Sequence, residues 1–195
     1  MEKWKLNLMP ISSEMIYTVD ELGNLLNLES RENLHLTKSS KRHAAVIGMI
    51  LRNDGKLLVQ WRAPNKLGGN RLDVSATTHV RKGETYESAL QRSFENELKV
   101  KTRIPLIHAF DFRYEEDLGD HKENEFCKVY FGKYDGKYEP NPEEIDSVEF
   151  MTLEELQKFV REKSEKATKW LRETVTRMTA SMLSTKWEVR LGRTS

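Results

Sequence analysis

The stretch from His79 to Val100 holds the residues best suited to chemistry. A Gly-Glu turn follows the histidine, and apolar residues then recur at spacings of three and four, which predicts a helix over residues 84–98. Ser93 and Glu97 lie four apart on one face of that helix, and Arg92 stands beside them to pair with a carboxylate. Magnesium needs oxygen ligands, such as the Glu97 carboxylate, and usually shares them with substrate phosphates. An ordinary amphipathic helix with solvated charges has the same pattern.

A second pair of carboxylates lies further along the chain. Glu123 and Glu125 are two residues apart within a predicted strand, so both side chains point to the same side of a sheet. Cys127 follows on the same face, where a small buried apolar role is expected for it. Two carboxylates on one face offer oxygen ligands to a metal.

The stretch from His79 to Val100 resembles the Nudix box, in which a Gly-Glu turn leads into a helix whose Arg and Glu residues hold metal against a diphosphate. The matching positions are Glu84, Arg92, Phe94, Glu97 and Val100. The departures from the pattern are Thr78, Ser93, Asn96 and Lys99, at positions normally held by Gly, Glu, Glu and Gly. A box without two of its carboxylates is a weaker magnesium site.

Roughly residues 16–180 are similar to one branch of the Nudix superfamily, the type I isopentenyl-diphosphate isomerases and the Nudix proteins nearest to them. The similarity rests on Asp20-Glu-Leu-Gly23 with Arg31, on Asp111-Phe-Arg-Tyr114, and on Glu123-Asn-Glu125-Phe-Cys. In that family three His and two Glu bind one metal. The resemblance implies the metal ligands His43, His79, Glu123 and Glu125, with His35 one residue out of register, while Glu97 is the box carboxylate that is kept.

The chemical types of the expected ligands indicate which metal they would bind. A mixed set of His and carboxylate ligands suits zinc, manganese or iron better than magnesium. The box, in contrast, is a magnesium motif. The expected cofactor is therefore a divalent metal, either magnesium, manganese or zinc.

The resemblance also implies roles in substrate binding and proton transfer. Arg62 and Lys66 match basic residues that grip a diphosphate, and Trp170 stands where the isomerases place an active-site Trp. Tyr114 and Glu125 match the isomerases' proton-transfer residues. The isomerase Cys is replaced by Thr77, whose hydroxyl is a far weaker acid than a thiol. Without the resemblance, Arg62 and Lys66 are equally well explained as solvated charges.

The elements that position these residues follow from local patterns. A strand is predicted over 16–19, and the turn Asn53-Asp54-Gly55 joins strands at 44–51 and 56–61 into a hairpin. Strands are expected at 106–114 and at about 124–134, with a polar turn between them. A capping box at Thr152-Leu-Glu-Glu155 starts a helix, and a second helix is expected over about 165–182.

This order of elements predicts an α/β (α+β) protein with the Nudix fold, a mixed β-sheet sandwiched between helices, with extra C-terminal helices. We expect a single domain over residues 1–195. Its core spans about residues 16–150, with an N-terminal extension at 1–15 and C-terminal helices at 151–185.

Composition narrows the class of protein. The formal net charge is +1, from 32 basic and 31 acidic residues, so electrostatic capture of nucleic acid or of a membrane surface is not expected. The chain has one Cys, no convincing signal peptide and no apolar stretch of about 20 residues, which favours a cytoplasmic protein. Its oligomeric state does not follow from the sequence.

The leading prediction is a metal-dependent Nudix hydrolase that cleaves a diphosphate-linked small molecule, with Glu97, Glu125, Tyr114 and Thr77 as candidate catalytic residues. Two alternatives stay open. One is isopentenyl-diphosphate isomerisation with altered acid chemistry. The other is a catalytically weak protein that binds metal or diphosphate on the same fold.

Overall fold

A computed structural model describes residues 14–36, 41–119, 121–179 and 182. Within these ranges the chain forms nine strands and four α-helices. The strands are β1 (Met15–Val19), β2 (Leu25–Ser30), β3 (His43–Leu51), β4 (Leu57–Arg62), β5 (Leu72–Asp73), β6 (Ala76–His79), β7 (Leu106–Asp117), β8 (Lys122–Lys133) and β9 (Ile145–Met151). The helices are α1 (Arg31–His35), α2 (Tyr86–Leu98), α3 (Leu153–Glu162) and α4 (Lys169–Arg177).

Strand β3 is the centre of a mixed sheet. It runs parallel to β8 and antiparallel to β1, β4 and β6. Neighbours on several sides explain why all nine residues of β3 are buried and why its sequence is a continuous apolar run rather than an alternating one. Strand β7 pairs with β8, and β9 pairs with β4.

Side chains of β3 alternate between two helical layers. Ala44, Val46 and Ile50 pack with residues of α2, whereas Ala45 and Ile47 belong to a second cluster that includes Leu171 of α4. The sheet is therefore covered by helices on both faces, so the expected mixed sheet between helices, with α+β architecture, is present.

Helix α2 lies directly against β3 at Gly48. A Cβ at this position would approach Phe94 to 2.7 Å and Leu90 to 2.8 Å, so a side chain larger than hydrogen would push the helix away. Thr85 and Ser88 form a capping box at the start of the helix, which therefore begins at Tyr86 rather than at residue 84. This close packing fixes the distance between the sheet and the residues on this helix, Arg92 and Glu97 among them.

The predicted hairpin and the capping box at Thr152 are both present. The last helix differs from its predicted range of about 165–182. Residues Ser164–Lys166 form a short 3-10 turn, and Ala167 is extended, with Thr168 bonded to the Leu72 carbonyl. Because this bridge to β5 interrupts the helical backbone, α4 begins only at Lys169, with Thr168 as its N-cap.

Parts of the predicted domain limits fall outside the described residues. These are the N-terminal extension up to residue 13 and most of the chain after residue 179. None of the helices in the part of the chain that the structure describes has the length and apolar character of a membrane span.

Candidate metal centre and active-site cavity

Four side chains come together at one end of the central strands of the sheet. His35, His43, His79 and Glu123 each offer a ligand atom, and these atoms all lie within 4.8 Å of one another. His35, His43 and Glu123 are buried, and the side chain of His79 is 12% exposed. Three imidazoles and a carboxylate at this separation form a set of the kind that binds zinc or manganese.

The pairing of the strands explains how these residues meet. His43 is the first residue of β3, and its partner in the parallel pair with β8 is Glu125. His79 ends β6 opposite Ala45 in the antiparallel pair with β3. His35 comes from α1, a five-residue helix that Ser30 caps, and it completes the group from the side.

Backbone carbonyls orient two of the imidazoles. Nδ1 of His35 lies 2.6 Å from the Arg31 carbonyl, and Nδ1 of His43 lies 3.1 Å from the Lys41 carbonyl. Since a carbonyl oxygen only accepts, each Nδ1 carries the proton and donates it. The Nε2 lone pair of each ring is then available to a metal, as in the hydrogen-bonded His ligands of metalloproteins.

The atoms at the centre have no hydrogen-bond partners. His35 Nε2, His43 Nε2 and Glu123 Oε2 are buried without one, although the two Nε2 atoms lie 3.2 and 3.4 Å from that oxygen. Buried polar atoms are normally satisfied, so three unsatisfied atoms facing one another fit a bound cation. The donor set thus fits the divalent metal that the fold family implies.

The charge states of the group agree with this role. Burial lowers the pKa of His79 and outweighs its contact with Glu125, so the ring is held neutral. Burial alone would raise the pKa of Glu123. Contacts with His121, His35 and His43 overcome that effect and hold the pKa of the carboxyl well below its usual range. A neutral imidazole at His79 and an ionised carboxylate at Glu123 are the protonation states that metal ligands need. Burial would lower the pKa of His35, but its contact with Glu123 outweighs that effect and raises it, so binding of a metal at this ring would release a proton.

Glu125 lies at the border of the group. Its Oε1 is 2.9 Å from His79 Nε2 and 3.8 Å from His43 Nε2, so it can join the ligands without being in the tightest set. Cys127 donates to its other oxygen at 3.4 Å, and Tyr114 hydrogen-bonds the same carboxylate. Burial raises the pKa of both Tyr114 and Cys127, so each stays protonated as a donor.

Glu97 lies outside the four-residue group. Ser93 donates to its Oε1, as expected for residues on one helix face, and Gln60 donates to its Oε2 at 3.1 Å. Burial raises the pKa of Glu97 to about 7 despite these bonds and the nearby Arg62 charge. Its predicted role as a metal ligand stays a prediction.

Arg92 pairs with a carboxylate, as predicted, and the partner is Glu84. It donates to Glu84 from two nitrogens and to the His79 carbonyl at 3.0 Å. The box arginine therefore connects the Gly-Glu turn to the last residue of β6, and so fixes the backbone that carries His79.

The predicted diphosphate-binding residues already have ionic partners. Arg62 donates to Asp73 at 2.6 Å and lies over the ring of Trp170, and Lys66 pairs with Glu144 at 2.5 Å. Thr77 donates its hydroxyl to the Val46 carbonyl at 3.1 Å. The predicted site residues Arg62, Lys66, Thr77 and Trp170 all line the same cavity as His79, Glu97 and Tyr114.

That cavity has a volume of about 330 Å³ and opens beside the metal group. Its walls are strongly polar. They include the basic residues Arg31, Arg62, Lys66, Arg81 and Arg92 and the acidic residues Glu14, Glu97, Glu123, Glu125 and Glu144. A small polar ligand suits walls of this composition.

His121 was not predicted from the sequence. Its Nε2 lies 2.8 Å from Glu123 Oε1, and its ring stacks on His35 with a centroid distance of 4.3 Å. The available signal was its spacing of two residues from Glu123. Because the segment from Glu115 to Lys122 has the polar composition of a turn, His121 was not considered together with the strand that carries Glu123.

The curled mixed sheet, the helix of the box and the cavity between them define a Nudix-type protein. Residues 41–172 match the NUDIX domain family, which is more than half of the chain. The chain belongs to the Nudix family, and the expectation of an enzyme of this family is confirmed.

Relatives place it near the isomerases within that family. It is 30% identical over 158 residues to an isopentenyl-diphosphate Delta-isomerase of Serratia proteamaculans, covering 80% of this chain and 87% of that one. It is also 30% identical over 148 residues to an uncharacterized Nudix hydrolase of Yersinia pestis, covering 73% and 75% of the two chains. The resemblance to the isomerase-like branch is thus confirmed.

Solved structures agree on the fold. The crystal structure of DR0079 from Deinococcus radiodurans has a TM-score of 0.68 and 27% identity, covering 84% of this chain and 98% of that one. A MutT protein from Methanosarcina mazei has a TM-score of 0.55 at 14% identity, covering 70% and 91% of the two chains. The second likeness concerns the fold alone.

Proposed function

We propose that this chain is a metal-dependent hydrolase that cleaves a diphosphate-linked small molecule. The observation that carries the proposal is the group of His35, His43, His79 and Glu123, with unsatisfied buried atoms at its centre, beside a cavity lined by basic residues. His and carboxylate ligands favour zinc or manganese, and magnesium would be expected nearer to Glu97.

The metal's contribution when bound is Lewis acidity toward a phosphoryl oxygen. His35, His43, His79 and Glu123 would hold it, with Glu125 adjacent. Arg31 and Arg81 both pair with Glu14, and their side chains are 47% and 43% exposed at the cavity, so they can meet the outer phosphate charges by exchanging that carboxylate for phosphate oxygens. Lys66 can do the same once it exchanges Glu144 for a phosphate oxygen.

Glu97 is the residue best suited to act as base. Its pKa of about 7 allows it to take a proton from water near neutral pH, whereas the lowered pKa of Glu123 makes that carboxylate a poor base. The water oxygen forms a bond to phosphorus, the bond from phosphorus to the leaving oxygen breaks, and Glu97 keeps the proton that the water loses. Ser93 and Gln60 hold the carboxyl in place throughout.

Isomerisation of isopentenyl diphosphate is the second candidate. The contact between Tyr114 and Glu125 favours it, because a carboxyl supported by a phenol beside the metal group can move a proton on a substrate carbon. Thr77 argues against it, since its hydroxyl donates to a backbone carbonyl and lacks a thiol's acidity. A protein that binds metal or diphosphate without turnover is the third possibility.

A screen of diphosphate compounds tests the proposal. Purified protein is supplied in turn with Mg²⁺, Mn²⁺ and Zn²⁺, and phosphorus NMR follows each compound. We expect cleavage of at least one compound class, its loss in His43→Ala, and its retention in His108→Ala, which changes a histidine on β7 outside the cavity. If metal-loaded protein binds these compounds but cleaves none, the binding function replaces the hydrolase.

A further inference from the structure

A fourth histidine lies against the metal group without belonging to it. His121 is in the turn between β7 and β8, and its carbonyl accepts from Leu118 at 2.8 Å. It is not among the four residues whose ligand atoms cluster within 4.8 Å. Its contacts are instead with two of those residues, Glu123 and His35.

The contact with Glu123 divides the roles of the two carboxylate oxygens. His121 Nε2 lies 2.8 Å from Oε1, so the ring donates to that oxygen. The other oxygen, Oε2, faces His35 Nε2 at 3.2 Å and His43 Nε2 at 3.4 Å, toward the centre of the group. A carboxylate held in this way presents one oxygen to a metal and keeps the second occupied.

The contact with His35 restricts the plane of that ring. The two imidazoles are stacked at a centroid distance of 4.3 Å and an angle of 19°. The hydrogen bond to the Arg31 carbonyl already fixes the position of His35 Nδ1. Stacking against His121 limits the remaining rotation of the His35 ring about this hydrogen bond. Hydrogen-bond and stacking partners of metal ligands restrict the ligand side chains in advance, so less conformational freedom is lost when the metal binds.

We propose that His121 is a positioning residue of the metal centre, which keeps Glu123 monodentate and holds the His35 ring in its binding plane. This inference rests on the proposed function only in that it requires a metal at the four-residue group. Monodentate binding by Glu123 leaves coordination room on the cavity side for a substrate oxygen. The side chain is 30% exposed, so substitutions here need not disturb the core.

Two variants separate the two contacts. His121→Phe keeps a flat ring to stack on His35 and removes the hydrogen bond to Glu123. His121→Gln keeps a donor for Glu123 and removes the stack. His108→Phe is the matched control, since it makes the same replacement on β7, away from the metal group. Metal-free protein is titrated with Zn²⁺ against a chromophoric chelator, and the ligands of bound zinc are counted by X-ray absorption.

We expect His121→Phe to weaken zinc binding about 10- to 100-fold, with the number of imidazole ligands unchanged. His121→Gln should weaken it less, and His108→Phe should match the wild type. Zinc affinity within about twofold of wild type in both His121 variants would overturn the proposal. So would the loss of one imidazole in His121→Phe, because His121 would then be a ligand.

The outcome is separable from that of the proposed hydrolase. Wild-type protein that binds zinc but cleaves no diphosphate overturns the hydrolase and leaves the role of His121 standing. Protein that cleaves diphosphate, with His121 variants that bind zinc normally, overturns only the positioning role. Wild-type protein that binds no metal overturns both.

Discussion

Trp170 donates a hydrogen bond from its indole Nε1 to Oδ1 of Asp73, a carboxylate on β5 with no exposed surface. Asp73 also accepts from Arg62 at 2.6 Å and from Thr168 at 2.9 Å. One buried carboxylate therefore joins the start of α4 to β4 and to the cavity wall. Arg62 and Trp170, which were both expected to bind substrate, are therefore held in position by the same carboxylate.

Replacing Asp73 tests this connection. Asp73→Asn leaves the mostly buried Arg62 guanidinium without its counter-charge, so the free energy of unfolding should fall by about 3 kcal/mol. Urea denaturation measures the change, with the exposed Asp146→Asn as control. A loss below about 1 kcal/mol would show that the ion pair contributes little. The double variant Asp73→Asn with Arg62→Met should recover much of the lost stability, because no charge is then left alone and the amide oxygen can still accept from Trp170 and Thr168.

Glu97 makes the stability of the metal-free protein depend on pH. Its folded-state pKa of about 7 lies above the ordinary value of 4.5, so between these values the folded state holds a proton that the unfolded state releases. Stability therefore falls as pH rises from about 4.5 to about 7, by at most roughly 3 kcal/mol from this group. Glu97→Gln removes that dependence.

Denaturation of chelator-treated protein across pH 4.5 to 8 measures this effect. Glu97→Gln should be more stable than wild type at pH 8, and the two should converge toward pH 4.5. The exposed Glu95→Gln, two residues earlier on the same helix, should follow the wild-type curve. Parallel curves for Glu97→Gln and wild type would mean that Glu97 titrates normally.

Glu144 pairs with Lys66, which is proposed to bind the diphosphate of a substrate. Its carboxylate lies 2.5 Å from the Lys66 ammonium at the partly exposed side of the cavity. Glu144→Gln should free the lysine and lower KM for a diphosphate substrate by about two- to fivefold, with kcat nearly unchanged, since ion pairs of this exposure contribute up to about 1 kcal/mol. Lys66→Met should raise KM, and the exposed Glu143→Gln should leave it unchanged. An unchanged KM in both Glu144→Gln and Lys66→Met would remove Lys66 from substrate binding.

Thr77 separates hydrolysis from isomerisation. Its hydroxyl is bonded to the Val46 carbonyl and is a poor acid, so isopentenyl diphosphate incubated in heavy water should gain little deuterium. Thr77→Cys places a thiol at the same position and should exchange more than wild type if Tyr114 and Glu125 act as in the isomerases. Deuterium NMR follows both proteins. Rapid metal-dependent exchange by wild type would favour the isomerase over the hydrolase.

Local sequence patterns predicted much of the fold and part of the site. The turn at Asn53-Asp54-Gly55, the helix of the box and the shared face of Glu123 and Glu125 all follow from spacing within one element. Strand β6 was not predicted, because Ala76–His79 is only four residues long and has no clear alternation. Its position depends on pairing with β3, which is a tertiary effect.

The sequence patterns did not predict which residues from distant parts of the chain contact one another. Arg62 and Lys66 showed no local acid that would neutralise them, yet Asp73 and Glu144 do so after folding. Ser93 was expected to share a face with Glu97 but not to be buried, and it is 1% exposed because Glu97 and the backbone of Thr77 enclose it. Such contacts depend on how strands from distant parts of the chain come together.

The parallel pairing of β3 with β8 has a consequence for synthesis. His35, His43 and His79 leave the ribosome well before Glu123, and nothing local brings them together. The pair closes only after β8 has been made, because parallel strands pair over a long separation in sequence. A nascent chain thus carries three imidazoles without the carboxylate of the group, so the proposed four-residue metal site can form only after the strands have joined.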